Sequence, residues 1–314
     1  MKILFFVKSK SNLFNNSNSG GIEALNFDLS NYFKKKKIFV ILSNKISIDI
    51  LATEWDIVIS SNDAAIFDKV KSKRKLLWLH NKLQIEKSIR KKQFLPILKN
   101  KIETVFVSKY LETNTSRFYN FYKRIIISNF LPKIFTNKRI IKKIYKKKIF
   151  VWTVQREKGL DYILDLWKNK INPYYPEAEF HIFSINKKNK KKFEKYKIFF
   201  HGRVKRSILL SFYKKTTGMI CLGYDETFCL NAIESMSAGV PVISLGKTAL
   251  GELIYNNKNG FMVKNLSNLD RSIINLINLD NKQRVKLTKS TIKFSKKYHS
   301  TKIFQKWNNL ILNK

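Results

Sequence analysis

The sequence predicts an α/β protein of two doubly wound domains facing a central cleft. Two observations carry this. Short apolar runs rich in β-branched residues alternate with amphipathic stretches, the pattern of parallel strands covered by helices on both faces. The pattern also restarts near residue 148, and 314 residues are enough for two domains with separate cores. In such sheets ligands bind beyond the carboxyl ends of the strands, so chemistry is expected in the loops that follow them.

The expected strands of the first half are KILFFV (2–7), IFVILS (38–43), DIVISS (56–61), KLLWLH (75–80), TVFVS (104–108) and RIIIS (124–128). Amphipathic stretches at 21–36 and 109–122 read as helices between them. A lysine-rich segment without a clear period follows, and the linker is set at 136–147. The second domain, 148–298, opens on KIFVWTV (148–154) and the helix GLDYILDLWKNK (159–170). Further strands are EFHIFS (179–184), KIFFHG (197–202), GMICLG (218–223) and PVISLG (241–246). Within the last segment, 299–314, STKIFQKWNNLIL (300–312) reads as one helix, with Ile303, Trp307, Leu310 and Ile311 along one face. No repeat of 20–50 residues is evident.

Apolar residues make up 44% of the chain, which excludes a disordered protein. No apolar run reaches the roughly 18 residues of a membrane span, and the N-terminal KILFFVK is too short for a signal-peptide core. The formal charge of +40 raises the question of nucleic acid. Residues 1–148 hold 32 basic against 10 acidic residues and 149–314 hold 30 against 12, an even spread rather than a patch or stripe. A solvated basic surface is the first reading and no nucleic-acid partner is expected. A peripheral contact with anionic lipid is the second, at about 1 kcal/mol per basic residue near the surface. The two cysteines, Cys221 and Cys229, are too few for a disulfide scaffold and lack metal-ligand spacing. The protein is read as cytoplasmic.

The stretch DETFCLNAIESMSAGVPV (225–242) holds two glutamates, Glu226 and Glu234, eight residues apart. Gly239 suits the position just past a helix, and Pro241 cannot continue one. That puts Glu226 at a helix N-terminus, and Glu234 about two turns on and roughly 80° around it if both are helical. Carboxylates there accept hydrogen bonds from sugar hydroxyls. An acidic first turn followed by an exposed glutamate explains the spacing equally well.

The same stretch, continued by ALGELIYNNKNGFMV (249–263), closely resembles the C-terminal signature of family 4 retaining glycosyltransferases, the group 1 glycosyltransferases of the GT-B fold. The matching residues are Glu226, Phe228, Glu234, Ser235-Met236-Ser237, Gly239, Pro241 and Val242, with Cys229 where glycine is commoner. SGGIEALNFDLSNYF (19–33) resembles the family's glycine loop, VWTVQREKGLDYILDLW (151–167) its diphosphate-holding strand and helix, and FFHGRVKRSILLSFYKKTTGMICLG (199–223) the lead into the glutamates. Where the family often has arginine, five residues before the motif lysine, this chain has Thr153.

The resemblance implies two Rossmann-like domains, acceptor-binding in 1–135 and nucleotide-sugar-binding in 148–298, with the last helix crossing back to the first. The alternative is that the helix caps the second domain alone. It implies transfer of a sugar, with retained configuration, from a nucleotide diphosphate-sugar to a glycan or lipid-linked acceptor, in surface polysaccharide or lipopolysaccharide assembly at the cytoplasmic face of an inner membrane. Glu226, Lys158 and His80 are the implied catalytic residues. Gly20, Gly21, Arg156, Lys158, Glu226, Thr227, Phe228, Cys229, Leu230 and Glu234 are the implied donor-binding residues. No Asp-x-Asp metal site is found, and no metal or cofactor is implied: Lys158, Arg156 and the N–H groups of Gly21 would meet the diphosphate charge. A GT-B epimerase, a subunit that has lost activity through Thr153, and a basic nucleic-acid-binding protein are the rival readings.

Overall fold

The computed structural model describes residues 1–9, 20–136, 148–183 and 191–312. Most of the expected linker, 137–147, lies outside them, as do Ser19 of the glycine stretch and Ser184 of an expected strand. The chain divides into two compact units, Met1–Pro132 with Ser300–Lys314, and Lys133–His299.

The first unit holds a parallel sheet of β1 (Lys2–Val7), β2 (Phe39–Ser43), β3 (Trp55–Ser61), β4 (Ser72–Leu79), β5 (Ile102–Phe106) and β6 (Lys123–Ile126), in the order β2-β1-β3-β4-β5-β6. Its central strands are buried on both faces, which is why they read as continuous apolar runs. β4 begins three residues earlier than the apolar run because its first residues are charged and paired. Lys73 meets Asp56 at 3.0 Å, and Arg74 holds Glu103 through Nε–Oε1 at 2.9 Å and Nη2–Oε2 at 3.0 Å.

The amphipathic stretch 109–122 is a short helix, Lys109–Thr113, and a separate 3₁₀ turn, Arg117–Tyr119, not one helix. Its Asn, Thr and Ser side chains bond to nearby backbone instead. Thr115 Oγ1 donates to Leu111 O at 2.7 Å, Ser116 Oγ accepts from Phe118 N at 3.1 Å, and Asn120 turns to φ 46°.

The helix Ser300–Leu312 packs on the first unit. Trp307 lies edge-on to Trp78 with ring centroids 4.8 Å apart, and Phe304 reaches Tyr32 and Phe130, each at 4.7 Å. Arg74 Nη2 donates to Leu310 O at 3.1 Å. Ile303, Trp307 and Ile311 are buried, while Leu310, expected on the same face, is half-buried.

The second unit has β7 (Ile149–Trp152), β8 (Glu179–Phe183), β9 (Ile198–Gly202), β10 (Gly218–Ile220), β11 (Val242–Ser244) and β12 (Gly260–Met262), all parallel, in the order β12-β11-β10-β7-β8-β9. The strand order reverses between β7 and β10, the switch point where doubly wound sheets bind ligands. β12 has no counterpart in the sequence reading. Three residues show no periodicity, and Gly260 is there for space: a Cβ on it would lie 2.2 Å from Val242 O of β11. The expected helix at 159–170 is α-helical only over Leu160–Leu166 and continues as a π turn, Trp167–Ile171.

Candidate active site

The loops leaving β7 and β10 meet over the switch point. After β7, Gly159 adopts φ 104° and caps the helix Leu160–Leu166. A Cβ on Gly159 would lie 2.6 Å from Leu222 and 2.9 Å from Tyr224, so a glycine lets this loop lie against the exit of β10. That contact delivers Lys158, whose Nζ donates to Glu226 Oε1 at 2.8 Å, with side-chain exposures of 17% and 12%.

The loop after β10 is wound tightly. Gly223, Asp225 and Cys229 have φ of 86°, 54° and 68°. Thr248 Oγ1 donates to Gly223 O at 2.8 Å and Ala249 N to Glu226 O at 3.2 Å, so the loop after β11 braces it. Asn231 Nδ2 donates to Thr153 O at 2.7 Å and ties the helix that follows to the end of β7. That helix is Leu230–Ser237, capped by Cys229. Glu226 therefore stands in the loop before the helix, not on its first turn, and the angular relation to Glu234 expected from two helical positions does not apply. The helix ends as expected, with Gly239 at φ 76°.

Glu234 faces inward at 2% exposure, with Arg206 Nε 3.5 Å from its Oε1. Burial pushes its carboxyl up to about 7, and Arg206 pulls it partly back. Arg206 opens the helix that follows β9 and was not singled out in the sequence, where it is one basic residue among 62.

Arg156 is exposed and engages Asp161, its Nη2 at 2.9 Å and its Nε at 3.0 Å from the carboxylate oxygens. Phe228 is buried with its ring edge-on to Tyr298 at 5.7 Å, so it serves the loop as an anchor. Thr227 and Leu230 are half-buried beside it. Cys229 is buried 3.8 Å, sulfur to sulfur, from Cys221, and its thiol is pushed well up by that contact and by burial. Cys221, Glu226 and Cys229 each offer one ligand atom, all within 4.8 Å of one another. Their sequence spacing gave no sign of it.

In the first unit, Gly20 caps the helix Gly21–Lys35. A Cβ on Gly20 would lie 2.3 Å from Glu23 Oε2, and Glu23 Oε1 accepts from Ser9 Oγ at 2.8 Å. A carboxylate thus occupies the space beside these glycines where the sequence reading puts a phosphate. His80 follows β4 directly and is buried, its ring 4.6 Å from that of Trp78. Its backbone N–H and that of Asn81 donate to Asn62 Oδ1 at 2.7 and 3.1 Å. Desolvation holds its imidazole down to about 3, so it is neutral at physiological pH. A pocket of about 60 Å³ opens nearby, lined among others by Asn62, Leu79, Asn81, Lys82, Lys87 and Lys91.

Among solved structures the chain is similar to TarM of S. aureus at 18% identity and a TM-score of 0.65, covering 82% of this chain and 55% of TarM. The chain thus spans about half the length of that protein. It is also similar to the lipopolysaccharide outer core galactosyltransferase WaaB, at 16% identity and a TM-score of 0.68, covering 99% of each chain. Anabaena HepE in complex with UDP matches at 15% identity and a TM-score of 0.73 over 100% of both chains. The two doubly wound units are the GT-B fold of these proteins. The curated proteins gave no match by sequence. The family profile of group 1 glycosyl transferases matches residues 134–294, which hold Lys158, Arg206, Glu226 and Glu234, and the chain belongs to that family.

Proposed function

We propose that the protein transfers a sugar, with retention of configuration, from a nucleotide diphosphate-sugar to a glycan or lipid-linked acceptor in surface polysaccharide assembly. The observation that carries this reading is the Lys158–Glu226 pair over the β7/β10 switch point. A cation and a carboxylate held there suit a ligand that brings both phosphates and hydroxyls. WaaB is a galactosyltransferase of the lipopolysaccharide outer core, and HepE is solved with UDP and with UDP and glucose, which supports a sugar nucleotide and a surface glycan.

In this reading the diphosphate takes Lys158 from Glu226, and the freed carboxylate accepts hydrogen bonds from the donor sugar. The ammonium then stabilises negative charge on the leaving phosphate without a metal or cofactor. Arg156 joins it by exchanging Asp161, a surface partner easily given up. The backbone of Thr227, Phe228, Cys229 and Leu230 orients the sugar, and Glu234 takes the ribose hydroxyls. From the first unit, neutral His80 meets the transferred sugar as a hydrogen-bonding group. Gly20 and Gly21 meet phosphate once Glu23 swings aside. The lysines around the pocket near His80 suit an acceptor that carries negative charge. Among the described residues no helix is long and apolar enough to cross a membrane, and the basic surface suits a peripheral contact with anionic lipid.

The test is incubation with a panel of nucleotide sugars and lipid-linked or glycan acceptors, read by release of free nucleotide. Release with at least one donor is expected, with anomeric configuration retained by NMR. Lys158→Ala should lower kcat by about 10²–10³, the cost of removing one preorganised charge-stabilising donor. Epimerised donor without transfer would establish the epimerase reading, and silence with every donor would establish an inactive subunit.

A further inference from the structure

We propose that Cys221, Cys229 and Glu226 form a binding site for a thiophilic divalent cation of the zinc class, and that filling it draws Glu226 away from Lys158. The two sulfurs stand 3.8 Å apart. Two thiolates on one tetrahedral zinc, each at about 2.3 Å, also stand about 3.8 Å apart, whereas a disulfide requires about 2.05 Å. The sulfur pair is thus already set at the edge of a zinc tetrahedron. A carboxylate oxygen in the same tetrahedron sits roughly 3.5 Å from each sulfur. Glu226 offers one within 4.8 Å of both, so a shift on the order of 1 Å completes three ligands. Water takes the fourth position, from the side where Glu226 reaches solvent.

The backbone holds the thiols in place. Cys221 N donates to Ile243 O at 2.9 Å just past β10, and Cys229 O accepts from Ala232 N at 3.1 Å. Hard cations such as magnesium prefer oxygen ligands, so a site with two sulfurs selects against them. Binding releases both thiol protons to solvent. The filled site, a dication with two thiolates and a carboxylate, carries one net negative charge, and the Lys158 ammonium beside it offsets that charge. The site thus borrows Glu226 from the proposed donor site and adds two thiols that the proposed reaction does not use.

The experiment titrates the full chain, reduced and free of chelator, with Cd²⁺ as a spectroscopic probe. A thiolate-to-metal charge-transfer band saturating at one cation per chain, with two protons released, is expected, and Zn²⁺ should displace it. The chain has two cysteines, so the band can come from these alone. It should be lost in Cys221→Ser and, with a residue that φ 68° favours, in Cys229→Gly. Glu226→Gln should keep the band but bind about 10-fold more weakly. Absence of the band, saturation at half a cation per chain, or a band that survives in both cysteine variants would overturn the site. A second arm rests on the proposed function: Zn²⁺ should inhibit nucleotide release in the native protein but not in Cys221→Ser, and EDTA should restore it. A normal band without inhibition refutes the link to Lys158 and leaves the cation site standing. Inactivity with every donor refutes the proposed function and leaves the absorbance result untouched.

Discussion

Among the carboxylates of the proposed site, Glu234 is the one whose charge burial perturbs. Its carboxyl is raised from an ordinary 4.5 to about 7, with burial as the larger cause and Arg206 opposing it. A raised value means that the protonated form favours folding. That contribution is complete below about pH 4.5 and is lost as pH rises through about 7. At pH 8 the ionised group costs on the order of 3 kcal/mol of stability relative to its protonated state. The unliganded protein should therefore lose stability between pH 5 and pH 8, and Glu234→Gln should lose much less. Thermal melts of both proteins at the two pH values check this; parallel curves would refute it. The same group should bind ribose hydroxyls better when ionised, so affinity for a nucleotide sugar should rise through pH 7 in the native protein and stay flat in Glu234→Gln. Calorimetry decides, and an unchanged dissociation constant in the variant would remove Glu234 from the donor site. The two Glu234 readings, buried partner of Arg206 and ligand for ribose, are compatible because that cost is recovered when hydroxyls arrive.

At the scale of elements, the helix Ser300–Leu312 is held by aromatic contacts that its own periodicity announces. Ile303, Trp307 and Ile311 recur every four residues, and all three are buried. What the periodicity did not show is the partner: Trp78 and Phe130, and the Arg74 guanidinium that satisfies Leu310 O near the helix end. Trp307 is completely buried, so Trp307→Ala should cost about 3–5 kcal/mol of first-unit stability through lost burial and a cavity against Trp78. Urea unfolding checks the magnitude. Truncation after Lys297 should go further, exposing Trp78 and Phe130 and shifting tryptophan emission to longer wavelength. A truncated chain with native emission and midpoint would show that the helix contributes nothing to that core.

For the whole molecule, cation removal separates two roles a metal can play. In the proposed reaction the donor's charge is met by Lys158, Arg156 and backbone donors, so activity should survive EDTA. Zinc bound through Cys221 and Cys229 should inhibit, so EDTA should leave activity unchanged or raise it. Loss of turnover in EDTA that Mg²⁺ or Mn²⁺ restores would contradict the metal-independent reading. The formal net charge of +40 is spread over both halves of the sequence, as a solvated surface would be.

By itself the sequence determined that strands alternate with helices, that the pattern runs twice, and that Glu226 precedes a helix which Gly239 and Pro241 end. Local periodicity carries these because it reports which face of an element is buried. It does not report which elements become neighbours. Lys158 and Glu226 are 68 residues apart in the chain and meet because β7 and β10 adjoin at the switch point. Arg206 reaches Glu234 from the helix after β9, and Cys221 reaches Cys229 only because three left-handed residues fold the loop back on its strand. Glu226 was legible as important and misplaced as helical, since the glycine and proline that end the helix say nothing of where it begins. Short strands such as β12 are likewise fixed by their neighbour, here the room that Gly260 leaves beside Val242, and not by a pattern of their own.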